Sequence, residues 1–158
     1  MLRLIAIALL SAVSPESKPF ADTPGAVQIE SDQRAEEPEI RNLIENQYER
    51  WNNHDLEGFL ETIWKSPLFL SEVDGVFTFG WEKYSEKLRR EYSDRTAMGQ
   101  VTHDRIQINF VAPNIALTID WWTTTTHQRP AHGFTVSTVE KFPEGWRVII
   151  GKTFYENA

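Results

Sequence analysis

Cysteine is absent from this chain of 158 residues. Its absence excludes disulfide bonds, thiolate nucleophiles and zinc sites built on cysteine. Positive charge is also scarce, because 16 lysines and arginines face 23 aspartates and glutamates and leave a net charge of −7. The basic residues are scattered singly or in pairs, so they form no stripe that could follow a phosphate backbone. We therefore expect no nucleic-acid partner.

The motifs of common cofactor and metal sites are missing as well. The sequence has neither a glycine-rich phosphate loop nor a nucleophile elbow. The four histidines, His54, His103, His127 and His132, lack the spacing of metal ligands. The sequence thus predicts no cofactor and no metal.

No apolar run reaches the roughly 20 residues that a membrane-spanning helix needs. The longest run, residues 4–10, follows Arg3 and fades into small residues and Pro15. This pattern is typical of a secretory signal, so we interpret residues 1–21 as a signal peptide and expect export to the periplasm or the exterior without a transmembrane anchor. The alternative is a cytoplasmic protein with a loosely packed N-terminal tail.

Residues 22–38 contain Pro24, Gly25 and Pro38 among polar and acidic residues, with few large apolar groups. Such a composition predicts a disordered linker without a core of its own. One folded domain over residues 39–156 is therefore expected, and 41% hydrophobic residues are enough to give it a core.

Apolar side chains recur at helical spacing from Glu39 onward and predict a first helix that carries Tyr48 and Trp51 on its apolar stripe. Asp55 is a favourable cap for a second helix, whose apolar positions run to Trp64. Both helices are amphipathic, so each should cover one side of a sheet.

The rest of the chain changes from helical to strand patterns. Asp74-Gly75 between two short apolar runs predicts a hairpin with a two-residue turn, and residues 81–92 predict a third helix. Four segments rich in β-branched and aromatic residues then predict an antiparallel meander: 105–111, 115–126, 134–142 and 146–155. Helices segregated from a sheet define an α+β fold, and a curved sheet over three helices leaves a hollow for a small molecule.

Residues 48–59 place Trp51 and Asn52 just ahead of Asp55, which resembles the helix junction of the NTF2-like superfamily (SnoaL-like and ketosteroid-isomerase-like domains). The hairpin glycines and the closing run 145–148 are similar to further landmarks of that superfamily. Over residues 39–156, the resemblance implies a cone in which three N-terminal helices pack on a curved antiparallel sheet with a short hairpin.

The resemblance also allows the catalytic positions of the isomerase branch to be compared. They fall on Gln47, Ser71 and Thr138. None of these side chains accepts a proton unaided near neutral pH, so the isomerase reaction is not predicted.

Candidate site residues fall into two groups. Aromatic and polar side chains expected to line the hollow, or else to fill the core, are Tyr48, Trp51, Trp64, Phe69, Trp121 and Thr138. Weak candidates for acid–base chemistry are Glu72, Glu140 and Lys152. Lys152 stands where many SnoaL-like sequences have a histidine, although a lysine more often extends to the rim.

Strand 115–126 alternates between two faces. The face with Ile115 and Trp121 is expected to meet the helices, which would leave Asp120 and Trp122 on the outside. An exposed Trp122 favours a homodimer formed through the sheet. Two functions follow from the sequence: a pocket that binds a mostly apolar small molecule, with or without cofactor-independent acid–base chemistry, or a non-catalytic homodimeric interaction module.

Overall fold

A computed structural model describes the backbone of residues 24–125 and 130–156. The signal peptide predicted over residues 1–21 lies outside the described residues and stays a prediction. Among the helices of the described part, none is long and apolar enough to cross a membrane.

Within the described residues, three helices and six strands form the domain. The helices are α1 (Pro24–Asn52), α2 (Leu56–Glu61) and α3 (Trp81–Glu91). The strands are β1 (Leu70–Val73), β2 (Val76–Phe79), β3 (Gln100–Ala112), β4 (Ile115–Thr125), β5 (Pro130–Phe142) and β6 (Gly145–Glu156). A short 3-10 turn, Arg95–Met98, leads into β3. The predicted order of helices, hairpin and meander is confirmed, and so is the α+β class.

Helix α1 begins much earlier than predicted, so the linker expected over residues 22–38 is wrong from Pro24 onward. Proline lacks an N–H and removes one hydrogen bond from a helix, and Pro38 lies inside α1. Contacts to the sheet stabilise the turn before it. Trp146 Nε1 donates to Glu36 Oε2 at 2.9 Å, and Lys141 Nζ donates to Glu36 Oε1 at 2.5 Å. A local composition cannot reveal partners that lie about a hundred residues away, as these do.

Helix α2 begins as predicted and ends earlier than predicted. Asp55 caps it, because its Oδ1 accepts a hydrogen bond of 2.9 Å from the Gly58 N–H. Its last turn gives way to an isolated parallel bridge between Ile63 and Val148. Trp64 therefore lies outside the helix, where its ring stacks on Phe142 at 5.7 Å between centroids.

All six strands belong to one sheet in the order β2-β1-β6-β5-β4-β3. Strands β3 to β6 form the predicted antiparallel meander. The hairpin joins it through a parallel pairing of β1 with β6, so the sheet is mixed and not antiparallel throughout. Turn residues indicate only which consecutive strands pair, so they could not predict the pairing of β1 with β6, which are far apart in sequence.

The hairpin turn has the predicted geometry. Asp74 and Gly75 have φ angles of 49° and 81°, which matches a turn with two left-handed residues. Glu72 reinforces the turn, because its Oε1 accepts a hydrogen bond from the Gly75 N–H.

The face of the sheet that meets the helices, called here the concave face, is the reverse of the one predicted for β4. Alternate residues from Ala116 through Asp120 and Trp122 are buried, whereas Ile115 and Trp121 are only half-buried on the opposite, convex face. The prediction was wrong because both faces of this strand carry large apolar groups, so alternation alone could not choose between them. The main core lies at the closed end of the cone and includes Ile40, Leu56, Leu60, Phe69, Val139 and Val148.

Gly133 offers a test of packing on the concave face. A Cβ atom at this position would lie 2.0 Å from Phe154 O and 2.9 Å from Trp122 Cζ2. We expect Gly133→Ala to lower the free energy of unfolding by about 2 kcal/mol, a cost typical of overpacking. Urea denaturation measures it. The matched control is Gly151→Ala, whose Cβ would approach no atom more closely than 4.0 Å, and equal effects of the two substitutions would contradict this account.

Candidate functional site

A cavity of about 230 Å³ lies between the concave face and the helices. Its volume is below the range of about 300–1,000 Å³ for drug-sized ligands, so it suits a small one. Aromatic rings from the helical layer form one wall: Trp51, Phe59, Phe69, Tyr84 and Tyr92.

The aromatic wall is held in place by contacts between its own members. Phe59 and Tyr92 approach the ring of Trp51 edge-on, with centroid distances of 5.3 and 4.9 Å. Trp51 Nε1 donates a 2.7 Å hydrogen bond to Met98 O. These contacts give the wall fixed orientations, so the cavity is formed without a ligand.

The opposite wall belongs to the sheet and mixes polar side chains with apolar ones such as Val148 and Tyr155. In register across three strands, Asp120 pairs with Thr135, and Thr135 pairs with Thr153. Trp122 Nε1 donates to Thr135 Oγ1 at 3.0 Å. Ser71 and Ser137 are also buried on this wall. The serine and threonine hydroxyls and the Asp120 carboxyl of the cavity thus come from its sheet side.

Tyr48 and Asp120 form the one hydrogen-bonded pair in the cavity that includes a carboxyl group. The Tyr48 hydroxyl donates to Asp120 Oδ2. Burial raises the pKa of Asp120 to about 6, although the hydrogen bond from Tyr48 opposes that shift. Burial and the charge of Asp120 also raise the pKa of Tyr48, so its hydroxyl remains protonated.

Among the described residues that line the cavity, Asp120 is the only carboxylate, and none is a lysine, arginine or histidine. The ionised form of Asp120 therefore lacks a cationic partner there. His103 lies beside the pair, and its ring stacks on Tyr48 with 4.8 Å between centroids and an interplanar angle of 21°. This contact positions the phenol that donates to Asp120.

The structure brings together three of the six residues predicted to line the hollow. Tyr48, Trp51 and Phe69 line the cavity. Trp64, Trp121 and Thr138 are not among its lining residues. Trp64 was misplaced by the early end of α2, and Trp121 by the reversed faces of β4. Thr138, like Trp121, lies on the convex face, because it pairs with Leu117 of β4.

Glu72 and Lys152, two of the predicted acid–base candidates, do not line the cavity. They pair in register on β1 and β6, and Lys152 Nζ lies 3.2 Å from Glu72 Oε2. Oε2 has no aligned hydrogen bond within the described part of the chain, so the contact is an ion pair. Its position on the convex side follows from a register shift in β6.

Glu140, the third candidate, is also absent from the cavity and pairs with Ile115 on the convex side of β4. Of the isomerase positions, Gln47 and Ser71 line the cavity. Gln47 Nε2 is already bound to Thr62 Oγ1 at 2.7 Å. In the described residues, no group of three or more histidines, aspartates or glutamates is placed to hold a metal ion.

Sequence reasoning missed Asp120 as a site residue. A usable signal existed, since Asp120 is the only charged residue in the 11-residue strand β4. A lone carboxylate in the middle of a long, otherwise uncharged strand is costly to bury and therefore points to a site.

Comparisons with known proteins identify the fold. No protein-family model matches the sequence, and no curated protein matches it either. Among solved structures, an NTF2-like protein of unknown function from Shewanella oneidensis superposes with a TM-score of 0.69 at 21% identity, covering 73% of this chain and 96% of that one.

Two further solved structures are named for reactions. A protein assigned as a scytalone dehydratase from Novosphingobium aromaticivorans has a TM-score of 0.66 at 11% identity and covers 81% of this chain and 89% of its own. Hexachlorocyclohexane dehydrochlorinase of the LinA type from Novosphingobium barchaimii has a TM-score of 0.65 at 12% identity, with 81% and 91% covered. Identities this low establish a shared fold and no shared reaction. The chain has the NTF2-like fold, as its helix junction and hairpin glycines predicted.

Proposed function

We propose that the cavity binds a small, mostly apolar molecule and that Asp120 exchanges a proton with it, without a cofactor. The observation that carries this proposal is the Tyr48–Asp120 pair inside an aromatic cavity whose other described lining residues are uncharged. A proton acceptor is most effective when its pKa lies near the working pH, and the pKa of Asp120 is raised to about 6.

The structural neighbours support proton transfer as the type of chemistry. Two of them are named as a dehydratase and a dehydrochlorinase. Both names denote an elimination, in which a base takes a proton while a leaving group departs. Asp120 is the group in this cavity that can act as that base, and the aromatic wall would hold the apolar body of the substrate against it.

Ligand binding in the cavity can be tested by filling it. Gly151 lines the cavity, and a Cβ atom added there would have Val148 Cγ1, at 4.0 Å, as its nearest neighbour outside the adjacent residues. We expect Gly151→Leu to weaken binding of the uncharged fluorescent probe N-phenylnaphthylamine at least about tenfold, since its isobutyl group occupies the ligand volume. The melting temperature of the Gly151→Leu variant should equal or exceed that of the wild-type protein. Thr138→Leu, which adds to the convex face, is the control. Unimpaired binding to the filled variant would show that the probe binds elsewhere.

The raised pKa of Asp120 has a consequence for stability. Between its unfolded value and about 6, the folded protein keeps a proton that the unfolded chain has released. Stability relative to Asp120→Asn should therefore fall as the pH rises through this window and level off above it. The expected change is about 3 kcal/mol between about pH 4 and pH 7.

Chemical denaturation of both proteins across this pH range measures the difference. Asp104→Asn, which removes an exposed carboxylate from the neighbouring strand β3, is the matched control. A difference between Asp120→Asn and the wild-type protein that does not change with pH would mean that the Asp120 carboxyl has an ordinary pKa, and the acid–base proposal would then fail.

A second proposed property is a homodimer formed through the convex face of the sheet. Trp121, Phe134 and Phe154 form an aromatic row there, with 6.5 and 4.8 Å between neighbouring centroids. Phe77 and Phe79 on the adjoining hairpin are 56% and 63% exposed. Apolar surface of this extent favours association, and these residues support the dimer in place of Trp122, which is buried.

A charge placed at the middle of that face should prevent the dimer. Val136 lies on β5 between Ile119 and Lys152 in register. We expect Val136→Arg to weaken dimerisation at least about tenfold, because the guanidinium would be desolvated in the interface. Sedimentation equilibrium at micromolar concentration measures it. Val111→Arg, at an exposed position near the end of the edge strand, should leave the dimer intact. A wild-type protein that is monomeric at these concentrations would refute the dimer.

A further inference from the structure

A second hollow lies outside the cavity, between the end of α2 and the β5–β6 turn, and is called here the Trp64 cleft. Its volume is about 270 Å³. Its described lining residues are Glu61, Ile63, Trp64, Lys65, Glu144 and Arg147. Of these, only Ile63 also lines the main cavity. The cleft is therefore a separate place on the molecule, and the proton transfer proposed for Asp120 does not use it.

One wall of the cleft is fixed to the sheet. The Trp64 N–H donates to Val148 O at 3.0 Å, and the Val148 N–H donates to Thr62 O at 3.1 Å. The indole of Trp64 is half-buried and stacks on Phe142 with an interplanar angle of 22°. Backbone and ring are both held, so this apolar wall exists before any ligand arrives.

The other wall holds a guanidinium that has one orientation and no ionic partner. Arg147 Nη1 donates to Trp146 O at 2.8 Å, and Nη2 donates to Glu144 O at 3.3 Å. Both acceptors are neutral carbonyl groups, and within the described residues Arg147 forms no ion pair. A guanidinium has five N–H donors, so further donors remain for a ligand.

Two carboxylates and a second cation complete the cleft. Glu144 is exposed, and in the part of the chain that the structure describes its carboxylate has neither a hydrogen bond nor an ion pair. Glu61 Oε1 lies 2.6 Å from Lys65 Nζ, and both side chains remain open to solvent. The cleft thus offers two carboxylates and two cations around an indole ring.

This combination restricts the ligand. The charges balance, so an ion of either sign would meet a like charge as well as an opposite one. An apolar molecule would remove water from charged groups without replacing their hydrogen bonds. A hydroxyl group both donates and accepts, so neighbouring hydroxyls on one ring can bind a carboxylate and a guanidinium together. Hydrogen bonds to charged groups are also stronger than those between neutral groups.

We propose that the Trp64 cleft binds a neutral saccharide. One pyranose ring packs its C–H face on Trp64, and its hydroxyl groups donate to Glu144 and accept from Arg147. The Glu61–Lys65 pair lies within reach of the remaining hydroxyls. The cleft is open to solvent, so a single sugar should bind with a dissociation constant in roughly the millimolar range.

Nuclear magnetic resonance of the isotope-labelled protein tests this site. The chain has six tryptophans, and Trp64→Phe identifies the indole N–H signal of Trp64 among them. The probes are the methyl glycosides of glucose, galactose, mannose and N-acetylglucosamine. We expect at least one of them to shift the Trp64 signal in a saturable manner. The signals of Trp51 and Trp122, which line the main cavity, should not move.

Two variants separate recognition from folding. Arg147→Met and Glu144→Gln should each weaken the glycoside at least about tenfold, because each removes a charge-assisted hydrogen bond. Glu144 is exposed, so its substitution leaves the packing intact. Arg105→Met is the matched control, since Arg105 lies 3.7 Å from the Trp121 ring and outside the cleft. This control should bind the glycoside as the wild-type protein does.

Glycine, a zwitterion, serves as the counter-probe. A larger shift of the Trp64 signal with glycine than with every glycoside at equal concentration would mean that the cleft recognises paired charges, and the saccharide site would be refuted. No shift of the Trp64 signal with any of the four glycosides would refute it too. Shifts confined to Trp51 and Trp122, or a Trp64 shift that persists unchanged in both cleft variants, would also overturn the proposal.

Discussion

One extra residue in strand β6 decides which side chains enter the cavity. Val148 pairs with Val139 and Ile150 pairs with Thr138, so Ile149 is left without a partner in the ladder. Such a bulge exchanges the two faces of a strand beyond it. Without it, Ile150 and Lys152 would face the helices, and β6 would place an apolar side chain and a cation in the hollow instead of Gly151 and Thr153.

The same register shift separates an apolar half of the cone from a polar half. Toward the closed end, Trp146 and Val148 enter a dry core, and this half supplies the apolar burial that stabilises the domain. Toward the open end, the concave face carries threonines, serines and Asp120, whose burial costs free energy unless they are hydrogen-bonded. Stability and site are thus built from different segments of the same strands.

The Tyr48–Asp120 pair depends on three elements at once. Tyr48 comes from α1, Asp120 from β4, and His103 of β3 stacks on the phenol. A carboxylate buried without a cation needs a donor held in one orientation, since a mobile donor would leave it unsatisfied. The long helix α1 provides that orientation because it is fixed on both sides of Tyr48: Glu36, near the middle of the helix, contacts the β5–β6 hairpin, and Asn52, at its C-terminal end, hydrogen-bonds to the Val101 backbone.

Periodicity and turn chemistry were sufficient to predict the element order, the hairpin and the meander, because those signals are local. The pairing of β1 with β6 and the contacts of Glu36 were not predictable, since each joins segments far apart in sequence. The bulge at Ile149 leaves no recognisable signal in the residue pattern of β6. It places Lys152 outside the cavity that the candidate acid–base role required. The prediction of which face of β4 meets the helices failed for another reason. The convex side of this strand is itself apolar, so the more hydrophobic side was taken for the inner one.

Gly151 also bears on how such a protein can diversify. A Cβ atom at this position would lie 4.0 Å from Val148 Cγ1, so a substituted side chain would begin in open space. Under the proposed function, a larger residue here would shorten the hollow while Asp120, two strands away, kept its place. The size of the ligand and the transfer of a proton would then be set by different residues, and selection could alter one without rebuilding the other.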